Sequence, residues 1–407
     1  MADDLAFLSL TEAVRRIRSG DLSPVKYTQA LLDRIAAHDG QLDSFLRVLD
    51  DGALEGAALA ELAVKNGETL GPLHGVPFAL KDIVDVAGLP TTAQSQILAQ
   101  QPPKTDHAAV TAKLHDAGGI LLGKTATHEF AIGGPSFDLP WPPARNPWNL
   151  ARYPGGSSSG SGAAVAAGLV PMAIGTDTGG SVRNPATACG IVGMKPTYGR
   201  VSRRGVFPLS FSLDHVGPMT RTVADNALML NVIAGHDPGD PGSANLPTPD
   251  FTADLDKGVD GLSIGVIRHF HNRDMTAEPA MAQALEDALV VLSDLGADIS
   301  EIETAPLGEF ATCNRIILLS EAYAIHRNWL KTRPEDYSES FLERILPGAF
   351  LSANDYVDAL RLRRKLTANF NRTISGLDGV IAVSAMDAAF AIDDAEEIAL
   401  KYPRQAR

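Results

Sequence analysis

Cysteine is nearly absent from this 407-residue chain: only Cys189 and Cys313 occur, far apart and outside any C-x-x-C pattern. That excludes a disulfide framework and a cysteine-based metal site, and two buried, reduced thiols are the plain expectation. Cationic side chains are also short in number. There are 35 lysines and arginines against 49 aspartates and glutamates, a formal net charge of -14, and no basic run. Direct nucleic-acid binding needs clustered cations that displace counterions, so it is not expected. Long apolar stretches are missing too. The longest, near Ala163 to Gly175, is short and contains Pro171, and the opening MADDLAFLSL carries two acids where a secretory leader needs bases. These absences point to a cytoplasmic protein without a membrane span. What is present, 45% hydrophobic and 21% charged residues, suffices at this length to bury one large core or two smaller ones.

Ser9 to Glu12 fits a capping box ahead of Ala13, Val14 and Ile17, and Ser23-Pro24 fits an N-cap with proline at N1 ahead of Tyr27, Leu31 and Ile35. A third helix is expected near Leu54 to Val64. HGVPFALKDIVDV sets β-branched and aromatic residues between turn signals, which predicts a strand ending close to Lys81. A helix at about Val110 to Ala117, a strand at GILLG, a small-residue helix at AAVAA (163–167) and a buried strand at LVPMAIGT follow. This alternation predicts an α/β fold, a sheet covered by helices. Residues 235–250, GHDPGDPGSANLPTPD, read as a surface excursion. Beyond them a second alternation begins. GLSIGVI is strand-like, Met281, Leu285, Leu289 and Leu292 share a helical face that Gly296 stops, and ADISEIE is extended. Helices at Arg315 to Leu330 and Tyr356 to Ile374 and a strand at GVIAVSA complete the expected order, and no internal repeat is found.

Three motifs compete for the chemistry. GGILLGKT (118–125) satisfies the phosphate-loop pattern G-x-x-x-x-G-K-[ST] with Lys124 as the phosphate ligand. Its middle, Ile120-Leu121-Leu122, reads as a strand, whereas a phosphate loop is flexible backbone between strand and helix, so the match is rejected. GSSSG (156–160) matches G-x-S-x-G, which would make Ser158 a nucleophile on a strand-to-helix elbow. The preceding ARNPWNLARYP holds two prolines and reads as irregular chain, which argues against that elbow. The third possibility combines Lys81, the serine-rich YPGGSSSGSG (153–162) and GTDTGGSVR (175–183). Amide cleavage needs a nucleophile, a base, an acid for the leaving amine and donors for the oxyanion. Lysine serves as base when burial lowers its pKa from about 10.4 toward neutrality, roughly 4 kcal/mol. The glycines of GTDTGGS permit a nest of inward N–H groups beside Ser181, or simply a tight turn.

Read together, GPLHGVPFALKDIVDVAGLPTT (71–92), RNPWNLARYPGGSSSGSGAAVAAG (145–168) and the block from GTDTGGSVRNPA to GPMTRT (175–222) resemble three ordered blocks of the amidase signature family of serine hydrolases. The resemblance implies a central mixed, twisted β-sheet covered by helices on both faces. It also implies one domain made of N-terminal helices (1–65), a motif core (66–235) and a variable region (246–407). Carried over by position, it implies a Ser-cisSer-Lys triad: Ser181 as nucleophile, Ser157 after a cis bond from Gly156 as bridge, and Lys81 as base. It implies oxyanion donors at the backbone N–H groups of Thr178, Gly179, Gly180 and Ser181. Substrate contacts are implied at Ala131, Ile132 and Ser157. Asp177 and Arg183 are expected to support the nucleophile loop. Ser158, Ser159 and Ser161 are expected to cap the AAVAA helix, with Ser158 also able to donate to the neighbouring loop. His128 and His215 are expected as core or surface residues, since the proposed route needs no imidazole.

The expected activity is hydrolysis of a C–N amide bond in a small molecule, with carbamates and esters open to the same acyl-enzyme route. No metal or organic cofactor is implied. The partners are an amide substrate and water, without nucleic acid or membrane, and a homodimer is left open. The alternatives are the glutaminase subunit of a tRNA-dependent amidotransferase and a non-catalytic member of the fold. Thr127-His128-Glu129-Phe130 and Ala131-Ile132-Gly133-Gly134 stand where that subunit commonly carries Met-Asp-Glu-Phe and Met-Gly-Ser-Ser, and Asn184 stands where it often has Gln. These departures favour a stand-alone amidase. Family members usually continue past YPRQAR, so the C-terminal part is expected to be incomplete.

Overall fold

A computed structural model describes residues 5–392 of the chain; the expectation attached to YPRQAR lies outside the described residues. Two helices open the fold. Ser9 Oγ accepts the Glu12 amide at the start of α1 (Leu10–Ser19), which buries Leu10, Ala13 and Ile17 and ends at Gly20 with φ 80°. Only half of the expected capping box forms, because the Glu12 carboxylate turns to Arg15 and Arg16. Ser23 Oγ likewise caps α2 (Pro24–Leu42). A short strand β1 (Phe45–Val48) and α3 (Asp50–Lys65) follow. Strand β1 has no clear alternation and was not expected. Helix α3 begins four residues before the expected Leu54.

Next come β2 (Pro77–Lys81), α4 (Ala109–Asp116), β3 (Ile120–Thr125), α5 (Ser159–Ala166), β4 (Met172–Asp177), α6 (Arg183–Cys189), β5 (Val192–Gly193), β6 (His215–Thr220) and α7 (Val223–Ile233). The six strands form one mixed sheet in the order β1-β3-β2-β4-β6-β5. The inner trio β3, β2 and β4 is parallel, while β1 and β6 run antiparallel to their neighbours and β5 pairs antiparallel to β6. Every residue of β2, β3 and β4 is buried, which explains their near-continuous apolar runs. Ala79 lies opposite Ala173 and Leu80 opposite Ile174. That register brings the C-terminal ends of β2 and β4, Lys81 and Thr176-Asp177, side by side. In open α/β sheets, ligands sit outside the carboxyl ends of the parallel strands. Helix α5 packs against this sheet through small residues, and a Cβ on Gly160 would collide with the Ser44 carbonyl and the Ala126 amide.

The second alternation does not extend the central sheet. Strands β7 (Ser263–Val266), β8 (Asp298–Glu301) and β9 (Gly379–Ile381) make a separate parallel sheet in the order β8-β7-β9. Val266 packs there with Leu285 and Leu289 of α8 (Pro279–Asp294) in a small core of its own. The irregular, mostly exposed residues 235–262 separate the two sheets in the chain. Helix α9 (Leu307–Thr332) starts eight residues before the expected Arg315. It packs on α11 (Ala353–Thr373) through Cys313, Ile317, Ala359 and Leu366, and α10 (Glu339–Ile345) lies between them in the chain. No helix among the described residues is long and apolar enough to cross a membrane.

Candidate active site

Lys81 is the last residue of β2 and is fully buried. Its Nζ lies 2.8 Å from Ser157 Oγ and 2.8 Å from Thr176 Oγ1. Burial pushes the amine down to about 7, against the opposing pull of the Asp214 and Asp177 carboxylates. A strand-end lysine that is usually solvated is here held near neutrality by the wall of sheet around its stem.

The serine loop is held beside Lys81 by its backbone. The Gly156-Ser157 peptide is cis. Gly156 N–H donates to Asn184 Oδ1 at 2.9 Å, and the Ser157 carbonyl accepts the His128 amide at 3.0 Å. Glycine is required at 156, since a Cβ there would strike the His128 ring and Tyr153 Oη. Those two rings stack with centroids 5.9 Å apart, so His128 is a packed core residue against the loop.

Ser158 occupies the N-cap position of α5, yet its side chain makes no capping bond. Its hydroxyl instead donates to the Thr176 carbonyl and accepts the Thr176 amide, each at 3.2 Å, while its own N–H donates to the Ser181 carbonyl at 3.2 Å. The expectation that Ser158 caps the helix is therefore corrected: strand β4 ends beside it and offers an unpaired peptide group. The same bonds remove Ser158 as an elbow nucleophile. Ser161 also turns from capping, bonding Thr125 Oγ1 at 2.7 Å and the Ile174 carbonyl at 3.0 Å.

Asp177 organises the glycine loop. Its buried carboxylate accepts N–H groups from Gly180 at 2.8 Å, Val182 at 3.3 Å and Arg183 at 3.4 Å, and both Nε and Nη2 of Arg183 at 2.9 Å. Burial works to raise this carboxyl, but the guanidinium and the amides outweigh it and hold it below the ordinary range. Gly180, at φ 127°, turns its amide inward to Asp177. It is therefore engaged, unlike the role expected for it. Among the described residues, no protein acceptor meets the amides of Thr178, Gly179 or Ser181. Thr178 is fixed from both sides, with its Oγ1 donating to Asp214 at 2.6 Å and its carbonyl accepting Asn314 Nδ2 at 3.2 Å. Ser181 is half-buried at the entry to α6.

Beside this loop lies a cavity of about 220 Å³ whose wall includes Ala131, Thr176 and Thr178. Ala131 reaches it because Phe130 and Ala131 both adopt left-handed backbone, φ 48° and 64°. Ile132 is not part of that wall. His215 Nδ1–H donates to the Asp177 carbonyl, 3.1 Å away, and burial pushes its imidazole down to about 4. Lys124 lies within β3, with Nζ 2.6 Å from Asp82 Oδ1 in a buried ion pair. Held in a strand and paired, Lys124 is no phosphate-loop lysine. Both cysteines are buried thiols, and burial pushes Cys189 up to about 12.

Sequence reasoning passed over Thr176, Asn184 and Asp214 as site residues. All three lie inside the quoted 175–222 block, but their partners become visible only once the strands are registered.

The sequence and the fold both have relatives among known proteins. The amidase family model matches residues 26–406. The chain belongs to the amidase signature family. Over an alignment of 413 residues it is 39% identical to the A subunit of the glutamyl-tRNA(Gln) amidotransferase of Chloroflexus aurantiacus, covering 96% of this chain and 84% of that one. Among solved structures it superimposes on the native peptide amidase of Stenotrophomonas maltophilia with a TM-score of 0.84 at 32% identity, covering 96% and 86% of the two chains. It also matches, at a TM-score of 0.89 and 34% identity, a chain from a vestigial protein complex bearing on the origins of an s-triazine catabolic enzyme, covering 95% and 83%. Membership makes this an amidase-signature enzyme that acts on amide C–N bonds, as a hydrolase or an amidotransferase.

Proposed function

We propose that the chain cleaves the amide bond of a small molecule through an acyl-enzyme on Ser181, with Ser157 as proton bridge and Lys81 as base. The observation that carries this reading is the buried, near-neutral Lys81 Nζ at 2.8 Å from Ser157 Oγ. With one N–H given to Thr176 Oγ1, the amine lone pair is free to accept the Ser157 proton. Ser157 then takes the proton of Ser181, whose Oγ bonds to the carbonyl carbon. The amides of Thr178, Gly179 and Ser181 stabilise the oxyanion, each worth roughly 3 kcal/mol in the transition state. As the C–N bond breaks, the relay runs backward and the departing nitrogen receives the proton. Water repeats the attack and releases the acid.

The cavity beside Thr178 favours an uncharged, apolar substituent on the substrate. Ile83, Phe207, Leu209 and Val216 line it, and at about 220 Å³ it exceeds the ~150 Å³ apolar cavity that accepts benzene. Its charged neighbours are already neutralised: Arg203 pairs with Asp240 at 3.2 Å and Arg204 with Asp237 at 2.9 Å. Asp214 accepts Thr178 Oγ1 and the Leu209 and Ser210 amides. A second reading, the glutamine-cleaving component of a tRNA-dependent amidotransferase, is favoured by the 39% identity across 96% of the chain.

Labelling with a fluorophosphonate, followed by peptide mapping, tests the triad. Ser181 is expected to carry the label, and Ser181→Ala and Lys81→Ala to lose it. A label mapped to Ser158 that survives both substitutions would sink the proposal. Comparing benzamide, acetamide and glutamine as substrates then separates the two readings, benzamide being preferred by the first and glutamine by the second.

A further inference from the structure

Glu129 is a buried carboxylate that the acyl-enzyme route leaves unused. Its Oε1 accepts Ser95 Oγ at 2.6 Å, and its Oε2 accepts the Ser338 amide at 2.9 Å and Ser338 Oγ at 2.7 Å. Those partners belong to segments 34 and 209 residues away in the chain. Ser95 follows Ala93 and Gln94, and Ser338 caps α10.

Around this carboxylate, backbone strain is concentrated. Ala93 (φ 51°), Gln94 (50°), Phe130 (48°) and Ala131 (64°) all take left-handed backbone without being glycine. Such conformations persist only where the surroundings enforce them. The enforcing bonds are visible: Phe130 N–H donates to the Ala93 carbonyl at 3.0 Å, and Thr127 N–H to Gln94 Oε1 at 2.8 Å. Gly134 N–H donates to Ser340 Oγ at 2.9 Å. The Phe130 ring is held among His326, Phe207 and Phe341, with centroids 4.5, 5.0 and 5.6 Å away. The loop pinned in this way delivers Ala131 to the cavity that also touches Thr176 and Thr178.

We propose that Glu129 is a positioning residue for substrate binding: it latches the Ala131 loop to the Ser95 turn and to the cap of α10, and so holds one wall of the cavity in place. This rests on the amidase reading above for the identity of the cavity as a substrate site.

The latch also tolerates titration. Burial pushes the carboxyl up to about 7, and Asp138 adds to the rise. Tyr337, beside Ser338, feels the Glu129 charge, and around Tyr337 stand Arg333 and His326, the last pushed down to about 3 by burial. A protonated Oε1 can donate to the Ser95 hydroxyl that formerly donated to it, while Oε2 keeps both Ser338 bonds. Glutamine reproduces that pattern, with Nε2 donating to Ser95 and Oε1 accepting from Ser338. Leucine reproduces none of it and leaves three donors without an acceptor.

Steady-state kinetics with benzamide and amide hydrogen exchange over residues 127–136 test the latch. Glu129→Leu is expected to raise KM about tenfold or more with kcat changed less than about threefold, and to speed exchange across Phe130 to Gly134. Glu129→Gln is expected to stay within about threefold of wild type in both constants and to keep the exchange pattern. Ser95→Ala and Ser340→Ala, which each remove one tether, are expected to fall between and serve if Glu129→Leu does not fold. The inference is overturned if the leucine and Ser95→Ala variants keep wild-type KM and exchange, if kcat falls while KM holds, or if glutamine is as damaging as leucine. Altered exchange in a wild-type background that neither cleaves benzamide nor takes the fluorophosphonate label would keep the latch and overturn the amidase reading instead.

Discussion

Replacing Lys81 with methionine gives the most exacting check on the chemistry, because it reads the lysine through stability. The folded chain holds this amine down to about 7 from an ordinary 10.5, fully buried. Between those values the unfolded chain binds a proton that the folded chain does not. Wild-type stability therefore rises with pH across that window, and above it the lysine is neutral in both states and the pH dependence ends. Below pH 7 the wild type is at its least stable relative to that limit, by on the order of 5 kcal/mol. A methionine side chain at this position carries no such cost at any pH. Against this, Lys81→Met leaves Ser157 Oγ and Thr176 Oγ1 without their 2.8 Å partner, a loss of roughly 1–3 kcal/mol that does not depend on pH. The variant should thus be inactive yet more stable than wild type at pH 6, and its advantage should shrink by about 3 kcal/mol on going to pH 9. Urea denaturation of both proteins at several pH values, extrapolated to zero denaturant, measures that difference directly. A stability difference that stays constant from pH 6 to pH 9 would refute the depressed lysine, and with it the base assignment.

Three further outcomes follow from the same contacts. In the activity profile, kcat should climb with pH through about 7 as Lys81 sheds its proton, and Thr176→Val, which removes one of the amine's two partners, should lower kcat about tenfold at pH 8 in a benzamide assay. Asp177→Asn should cost on the order of 3 kcal/mol in a thermal or urea melt and abolish labelling of Ser181, because the buried carboxylate gathers the Gly180, Val182 and Arg183 amides as well as the Arg183 guanidinium; an unchanged melt and label would contradict the organising role. Gly156→Ala should lower the melting temperature and erase labelling through collision with His128, and His128→Gly in the same chain should recover part of both, whereas no recovery would show that the obstacle lies elsewhere.

Much of the site was legible in linear order. Lys81 at the end of an apolar run, a serine-rich stretch and a glycine-rich block containing Ser181 each announce a local backbone requirement, and local requirements are written in neighbouring residues. The central strands were legible for the same reason: β2 and β4 are buried on both faces and so read as continuous apolar segments. Strands β1 and β5 were not, being short edge strands with pairings that depend on partners far along the chain, and β6, inside the sheet, carries Gly217-Pro218 in its middle. The second sheet escaped for a related reason, since three parallel strands read alike whether they extend an existing sheet or build another.

Hydroxyl assignments show where sequence stops. Ser158 sits where a helix cap is preferred, and only the approach of β4 turned its hydroxyl to Thr176. Gly180 lies among four candidate oxyanion donors, and only the folded loop revealed that Asp177 had claimed its amide. Glu129 carried no signal in its own neighbourhood because its partners, Ser95 and Ser338, are 34 and 209 residues away.

The sequence by itself determined the inventory: which residue types are present for base, bridge and nucleophile, which turns need glycine, and which segments must be buried. Those follow from covalent geometry and hydrophobicity, which act over a few residues. Tertiary structure alone decided which donor meets which acceptor and how far burial moves each charge. Both depend on strand register and on exclusion of water by segments that are remote in the chain, and the same lysine that would be an ordinary cation at a strand end is, 2.8 Å from Ser157 in a dry sheet, close to neutral.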